Sequence, residues 1–136
     1  MRRLVKELNL GERVRFAFGL TTEQLAGLYN TAEVAVCSSL FEGFGLPAAE
    51  AMASGLPLVS TRGGALAEVV GGAGVLVPIA DPVALAEGMT ALLADPARRE
   101  ALGRAARERV LECFQWDRAA ADVEAVYRLA GAAVGV

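Results

Sequence analysis

Two carboxylates, Glu42 and Glu50, bracket the run Glu-Gly-Phe-Gly-Leu-Pro-Ala-Ala-Glu. Gly43 and Gly45 carry no β-carbon, so a ligand can come close to the backbone amides there. Pro47 fits the first turn of a helix, where its missing N–H leaves no bond unmade. The free amides of such a turn and the helix dipole favour an anion, and phosphate is the natural guest. Carboxylates would repel a phosphate, so Glu42 and Glu50 must face something else. Vicinal hydroxyls, each a donor to a carboxylate oxygen, meet that condition. The pattern therefore points to a ligand that carries both hydroxyls and phosphates. Glu42 to Gly45 by themselves read more simply as part of a strand-loop-helix with two solvated acids, so the surrounding chain has to decide.

The elements that would hold this run follow from patterning. Arg13 to Gly19 alternates, with Val14, Phe16 and Phe18 on one side, and is predicted as a strand. Thr21 and Gln24 form a capping box ahead of a helix carrying Leu25, Leu28 and Tyr29. Val34 to Ser38 is an apolar strand, followed by the Glu42 loop and a helix from Pro47 to about Ser54 that Gly55 closes. Pro57 to Thr61 is a strand, Leu66 to Val70 a short helix, Gly71 to Gly74 a turn and Val75 to Val77 a strand. Asp81-Pro82 and Asp95-Pro96 start two helices with Leu85, Met89, Leu92 and then Leu102, Ala105, Ala106, Val110 on single faces. A last helix from Trp116 to about Leu129 is expected to bury Ala120, Val123, Val126 and Tyr127. The fold class is α/β, a partial Rossmann-like parallel sheet with crossover helices, followed by C-terminal helices. Ligands of such sheets bind at the carboxyl ends of the strands, where Gly19, Ser38 to Leu46 and Thr61 to Gly64 all fall.

Composition excludes other classes of function. The 136 residues fit one domain, and 54% hydrophobic content argues for a real core. A net charge of −3 without a polybasic cluster argues against nucleic acid. Histidine is absent and Cys37 and Cys113 form no CxxC pair, so neither a metal site nor a histidine-based triad is expected. Cys37 reads as core packing. The longest apolar runs are strand-sized, the N-terminus is not a signal peptide, and the cytoplasm is the default location. Arg98, Arg99, Arg104, Arg107 and Arg109 could give peripheral contact with an anionic membrane. Glu100, Glu108 and Glu112 among them favour a solvated face instead.

The run from Cys37 through Glu42 and Glu50 to Val59 resembles the Glu-x7-Glu signature of retaining GT-B glycosyltransferases of the large family 4, or group 1, type. Val14-Arg-Phe-Ala-Phe-Gly19, Gly63-Gly-Ala-Leu-Ala-Glu68-Val-Val and Phe114-Gln115-Trp116 are similar to that family too, so the resemblance covers nearly the whole chain. It implies that Glu42 contacts hydroxyls of a donor sugar and helps hold it for departure. It implies that Gly43, Phe44, Gly45 and Leu46 offer amides to sugar and diphosphate. Glu50 would accept from ribose hydroxyls, and Gly19 and Leu20 would line the base. The implied reaction transfers a hexose from a nucleotide-diphospho-sugar with retention, with no catalytic metal and no cofactor. Beside these, Arg62 is expected to be a surface residue more than a phosphate ligand, Glu68 a cap or structural pair, and Trp116 a packing anchor.

The same resemblance marks what such an enzyme has and this sequence lacks. Residues 1–136 would be a truncated C-terminal nucleotide-sugar-binding domain, with the N-terminal acceptor domain absent. The family's arginine and lysine on the diphosphate have no match, since Lys6 and Arg13 lie in the wrong context. Each charged hydrogen bond lost there would cost roughly 1.5–3 kcal/mol. The chain by itself is therefore expected to have no useful transferase activity and to bind donor weakly, if at all. It is also expected to be marginally stable or to self-associate, through unpaired strand edges and a last helix whose apolar face lacks a partner. A stand-alone nucleotide-sugar-binding or interaction module, or an inactive remnant, are the competing readings. Nucleotide, sugar and acceptor are not legible, with UDP, GDP and ADP donors all open.

Overall fold

Three short runs of apolar residues pair into one parallel sheet, and everything else is helix or loop. The computed structural model describes residues 1–134, with side chains as far as residue 131. In chain order the elements are α1 (Arg2–Glu7), α2 (Thr22–Thr31), β1 (Ala35–Cys37), α3 (Leu46–Ala53), β2 (Leu58–Thr61), α4 (Leu66–Val70), β3 (Val75–Val77), α5 (Pro82–Ala94), α6 (Pro96–Cys113) and α7 (Trp116–Val134). The sheet order is β1-β2-β3, with Ala35 opposite Leu58, Cys37 opposite Ser60, Val59 opposite Val75 and Thr61 opposite Val77.

Because side chains alternate across a strand, the sheet divides the core in two. Ala35, Cys37, Leu58 and Leu76 pack with Ala48, Ala49 and Met52 of α3, Leu66, Val69 and Val70 of α4, and Ala106 of α6. Val59, Val75 and Val77 pack on the other side with Leu85, Met89 and Leu92 of α5 and Leu102 of α6. The apolar faces expected for α5 and α6 are thus the faces that are buried. Met52, Leu58, Leu66 and Leu92 are fully enclosed, each worth about 1.5–3 kcal/mol of burial.

Capping chemistry sets the helix starts. Thr21 and Gln24 form the reciprocal capping box of α2, and the Asp81 and Asp95 side chains accept from the amides of Ala84 and Arg98, with proline following each. The ends are closed from α6. Arg99 donates to the carbonyls of Leu92 and Leu93 at the end of α5, and Arg107 to Ala53 at the end of α3. Arg109 donates to Glu68 and Val69 in α4 (2.6 and 2.8 Å). Apart from Leu92, whose carbonyl also accepts from the Asp95 amide at the C-cap, these carbonyls lie in last turns where the helix itself offers no donor, and each guanidinium satisfies them while complementing the helix dipole. The expected solvated basic face therefore holds for Arg98 and Arg104 but not for Arg99, Arg107 and Arg109, which are structural ties.

Three further expectations are corrected. Arg13 to Gly19 is not a strand: it runs irregularly, Phe18 is 75% exposed, and the Arg2 guanidinium lies over the Phe16 and Phe18 rings. A strand needs a neighbour to take its amides and carbonyls, and no other strand pairs with this segment among the described residues. The helix that precedes it, α1, has no counterpart in the sequence reading. At the other end, α7 runs past Leu129 to Val134 and does not bury the residues assigned to its core face. Ala120, Val123, Val126 and Tyr127 are all exposed, Tyr127 by 73%, and Trp116, at 88%, is no packing anchor.

Candidate functional site

β1 delivers the chain to the carboxyl edge of the sheet at Cys37, and the loop from Ser38 to Gly45 begins there. That loop is held from below by the end of β2. The Thr61 hydroxyl donates to the Ser39 carbonyl at 2.5 Å, and the Ala65 amide donates to the Glu42 carbonyl at 3.0 Å. Gly64, at φ +60°, lies directly under Glu42, where a β-carbon would press into the Glu42 carbonyl oxygen; Gly63 is equally close to the carbonyls of Ser39 and Leu40. The paired glycines thus let one strand-end loop rest on the next.

Gly45 turns the chain into α3 at φ +94°, a left-handed conformation that an L side chain rarely adopts. Its carbonyl accepts from the amides of Ala48 and Ala49, and Pro47 follows in the first turn. Among the described residues, none of the N–H groups from residue 42 to residue 46 donates to a protein acceptor. Consecutive unused amides at a helix start form a concavity for anionic or hydroxylic oxygen. Among the described residues, no lysine or arginine side chain donates to residues 38–50.

Both carboxylates are held by neutral hydroxyls. Ser39 Oγ donates to Glu42 Oε1 at 2.6 Å, in a part-buried contact. Tyr29 of α2 donates to Glu50 Oε2 at 3.2 Å, with the Pro47 carbonyl at 3.4 Å as a second neighbour. Burial pushes the Tyr29 hydroxyl above its ordinary pKa, and the negative charge and hydrogen bond of Glu50 push it the same way. Behind the loop, Phe44 stacks edge-on against Phe114 with ring centroids 5.5 Å apart, and the Arg109 guanidinium lies 5.9 Å from the Phe114 ring. An open groove of about 700 Å³ runs from Phe44, Leu46 and Glu50 past Phe114 to Trp116.

The structure brings Glu42, Gly43, Phe44, Gly45, Leu46 and Glu50 to one place, at the carboxyl edge of the sheet and the start of α3. Gly19 (φ +63°) and Leu20 are not brought into hydrogen-bond contact with them among the described residues; both are exposed, just ahead of α2. Arg62 is exposed, and its backbone N–H continues the sheet by donating to Val77. Glu68 uses its carbonyl, not its carboxylate, to receive Arg109. Sequence reasoning placed Ser39 and Thr61 at the ligand end of the sheet without giving either a partner, and it missed Tyr29 as part of the site. The polar tip of a tyrosine on an otherwise apolar helix face was the one available signal, since a half-buried phenol needs a partner.

A family model described as glycosyl transferases group 1 matches residues 1–109. The MMP alpha-(1->4)-mannosyltransferase of Mycolicibacterium hassiacum is 46% identical over 135 residues, which is 97% of this chain and 33% of that protein. Among solved structures, sucrose-phosphate synthase from Thermosynechococcus elongatus superposes with a TM-score of 0.87 at 42% identity, over 97% of this chain and 34% of that one. The C-terminal domain of a glycosyl transferase group 1 family protein (LpcC) from Francisella tularensis superposes with a TM-score of 0.75 at 27% identity, over 85% of this chain and 60% of that one. This chain spans about a third of the length of the curated relatives it matches.

Proposed function

Because this chain belongs to the glycosyl transferases group 1 family, we propose that it supplies the donor side for transfer of a hexose from a nucleoside-diphosphate sugar to an acceptor hydroxyl. The observation that carries this reading is the row of unused amides at residues 42–46, set between two carboxylates whose described partners are neutral hydroxyls. On this reading Glu42 accepts from hydroxyls of the donor sugar. The amides of Gly43, Phe44, Gly45 and Leu46 receive sugar and diphosphate oxygens, Glu50 accepts from the ribose, and Gly19 and Leu20 line the base. The bond between anomeric carbon and diphosphate oxygen breaks with its electron pair on the diphosphate. The acceptor oxygen bonds to that carbon from the same face, and its proton passes to a departing phosphate oxygen, so configuration is retained. No metal or cofactor takes part: the amides and the dipole of α3 meet the developing charge.

The mannosyltransferase and the sucrose-phosphate synthase are named for different reactions. That fits a shared donor side, with the acceptor side in the two thirds of those proteins that this chain does not span. This chain spans about a third of those relatives, so the donor side alone is proposed for it; on this reading residues 1–136 by themselves bind donor weakly and have no useful transferase activity. The expected place of the reaction is the cytoplasm. No helix among the described residues is long and apolar enough to cross a membrane. A second reading is a nucleotide-sugar-binding module without catalysis of its own, and it is favoured by the loop's carboxylates having hydroxyls and no lysine or arginine as hydrogen-bond partners among the described residues.

The test is an amide-resolved NMR titration of the chain with UDP-glucose, GDP-mannose and ADP-glucose. One of the three should shift the amides of Gly43 to Leu46, and Glu50→Ala should diminish the response. Silence of those amides at millimolar concentrations of all three would end the reading.

A further inference from the structure

Tyr29 lies outside the nine-residue run, yet its hydroxyl is the side-chain donor that meets Glu50 among the described residues. It is also the one α2 side chain in that set that hydrogen-bonds to another element. A phenol has a single hydrogen to give, and a carboxylate has about four lone-pair positions. Tyr29 therefore occupies one position on Oε2 and leaves the rest of the carboxylate open, above all Oε1. Without that tie, an exposed glutamate sweeps through many rotamers, and a ligand would have to arrest them on binding.

We propose that Tyr29 is a positioning residue that fixes Glu50 so that its open edge meets the two vicinal ribose hydroxyls of a nucleoside diphosphate. The proposal rests on the donor-side reading above. Ser39 stands to Glu42 in the same relation, which makes the tyrosine one of two hydroxyl holders. A phenol is protonated, and hence a donor, through neutral pH, and burial pushes Tyr29 further in that direction. Tyr29 also joins Glu50 to the helix that starts just after Gly19 and Leu20, so the residues assigned to base and ribose share one rigid link.

The experiment titrates the chain and its Tyr29→Phe variant with UDP, GDP and ADP, and with the 2′,3′-dideoxy form of whichever binds. The wild type should prefer the ribose form. Tyr29→Phe should weaken that form about tenfold, as expected for a lost tie to a charged group, and leave the dideoxy form unchanged. Leu28→Ala, which trims α2 without touching Glu50, should keep the preference. Equal weakening of both forms, or an intact ribose preference in Tyr29→Phe, overturns the proposal while leaving the donor reading in place. Binding of none of the three diphosphates by the wild type overturns the reading and the proposal together. Independently of any ligand, absorbance titration in a Tyr127→Phe background should show the Tyr29 midpoint fall on Glu50→Gln. An unmoved midpoint would remove the pair, and the proposal with it.

Discussion

At the scale of single residues, the site separates glycines that the fold requires from one that it does not. Gly64 has a left-handed backbone and the Glu42 carbonyl pressed against it, whereas a β-carbon on Gly43 would meet nothing within 4 Å. Gly64→Ala should lower unfolding stability by about 1–3 kcal/mol, while Gly43→Ala should stay within about 0.5 kcal/mol. Urea unfolding followed by circular dichroism measures both. If Gly43→Ala keeps its stability but loses the amide response to nucleotide sugar, the open space beside it serves a ligand. The sequence made the two glycines of the loop legible because their use is local. Gly64 needed the structure, because what crowds it is the Glu42 carbonyl, contributed by the loop after a different strand. The same holds for Tyr29, whose partner Glu50 is 21 positions away.

At the scale of elements, local chemistry read true. The capping box of α2, the aspartate-proline starts of α5 and α6 and the short α4 at Leu66–Val70 all stand where their residues placed them. The strand expected at Arg13 to Gly19 failed because pairing depends on two segments, and alternation in one of them cannot supply the other. The arginines of α6 were legible as a cluster but not as ties, since their acceptors are carbonyls at the ends of α3, α4 and α5. Arg109 is the most committed of them, bonded to two carbonyls and facing the Phe114 ring that braces Phe44. Arg109→Lys should lower stability by about 1–2 kcal/mol, because an ammonium cannot fork to both carbonyls and cover the ring. Arg104→Lys, at an exposed pair with Glu100, should change it by less than about 0.5 kcal/mol. Denaturant midpoints of the two variants decide the matter.

At the scale of the molecule, the two cores enclose the sheet between β1 and α6, while much of the apolar surface of α7 faces outward. Val123, Val126, Tyr127 and Leu129 lie exposed along it, beginning from Trp116 at the groove. A contiguous apolar stripe of this kind drives association. The chain should sediment as a concentration-dependent mixture, and Val126→Glu should shift it towards the monomer without changing the sheet. A wild type that stays monomeric at every concentration would show that the stripe is harmless. The buried faces of α5 and α6 could be read from periodicity because β2, β3 and one another cover them. Periodicity in α7 marks an apolar face equally well but does not say whether anything covers it, and here Val123, Val126 and Tyr127 are exposed.

The position of α6 after every strand has a consequence for how the protein comes to be made. Each strand pairs with the next strand along the chain, so β1, β2 and β3 can assemble in the order in which a ribosome releases them. The arginines that close α3, α4 and α5 lie at positions 99 to 109. A nascent chain halted before them would lack the guanidinium donors at three helix ends, and those ties would all be made within a stretch of eleven residues, Arg99 to Arg109. Release of α6, after the sheet is complete, is therefore the step at which those three ties can first form.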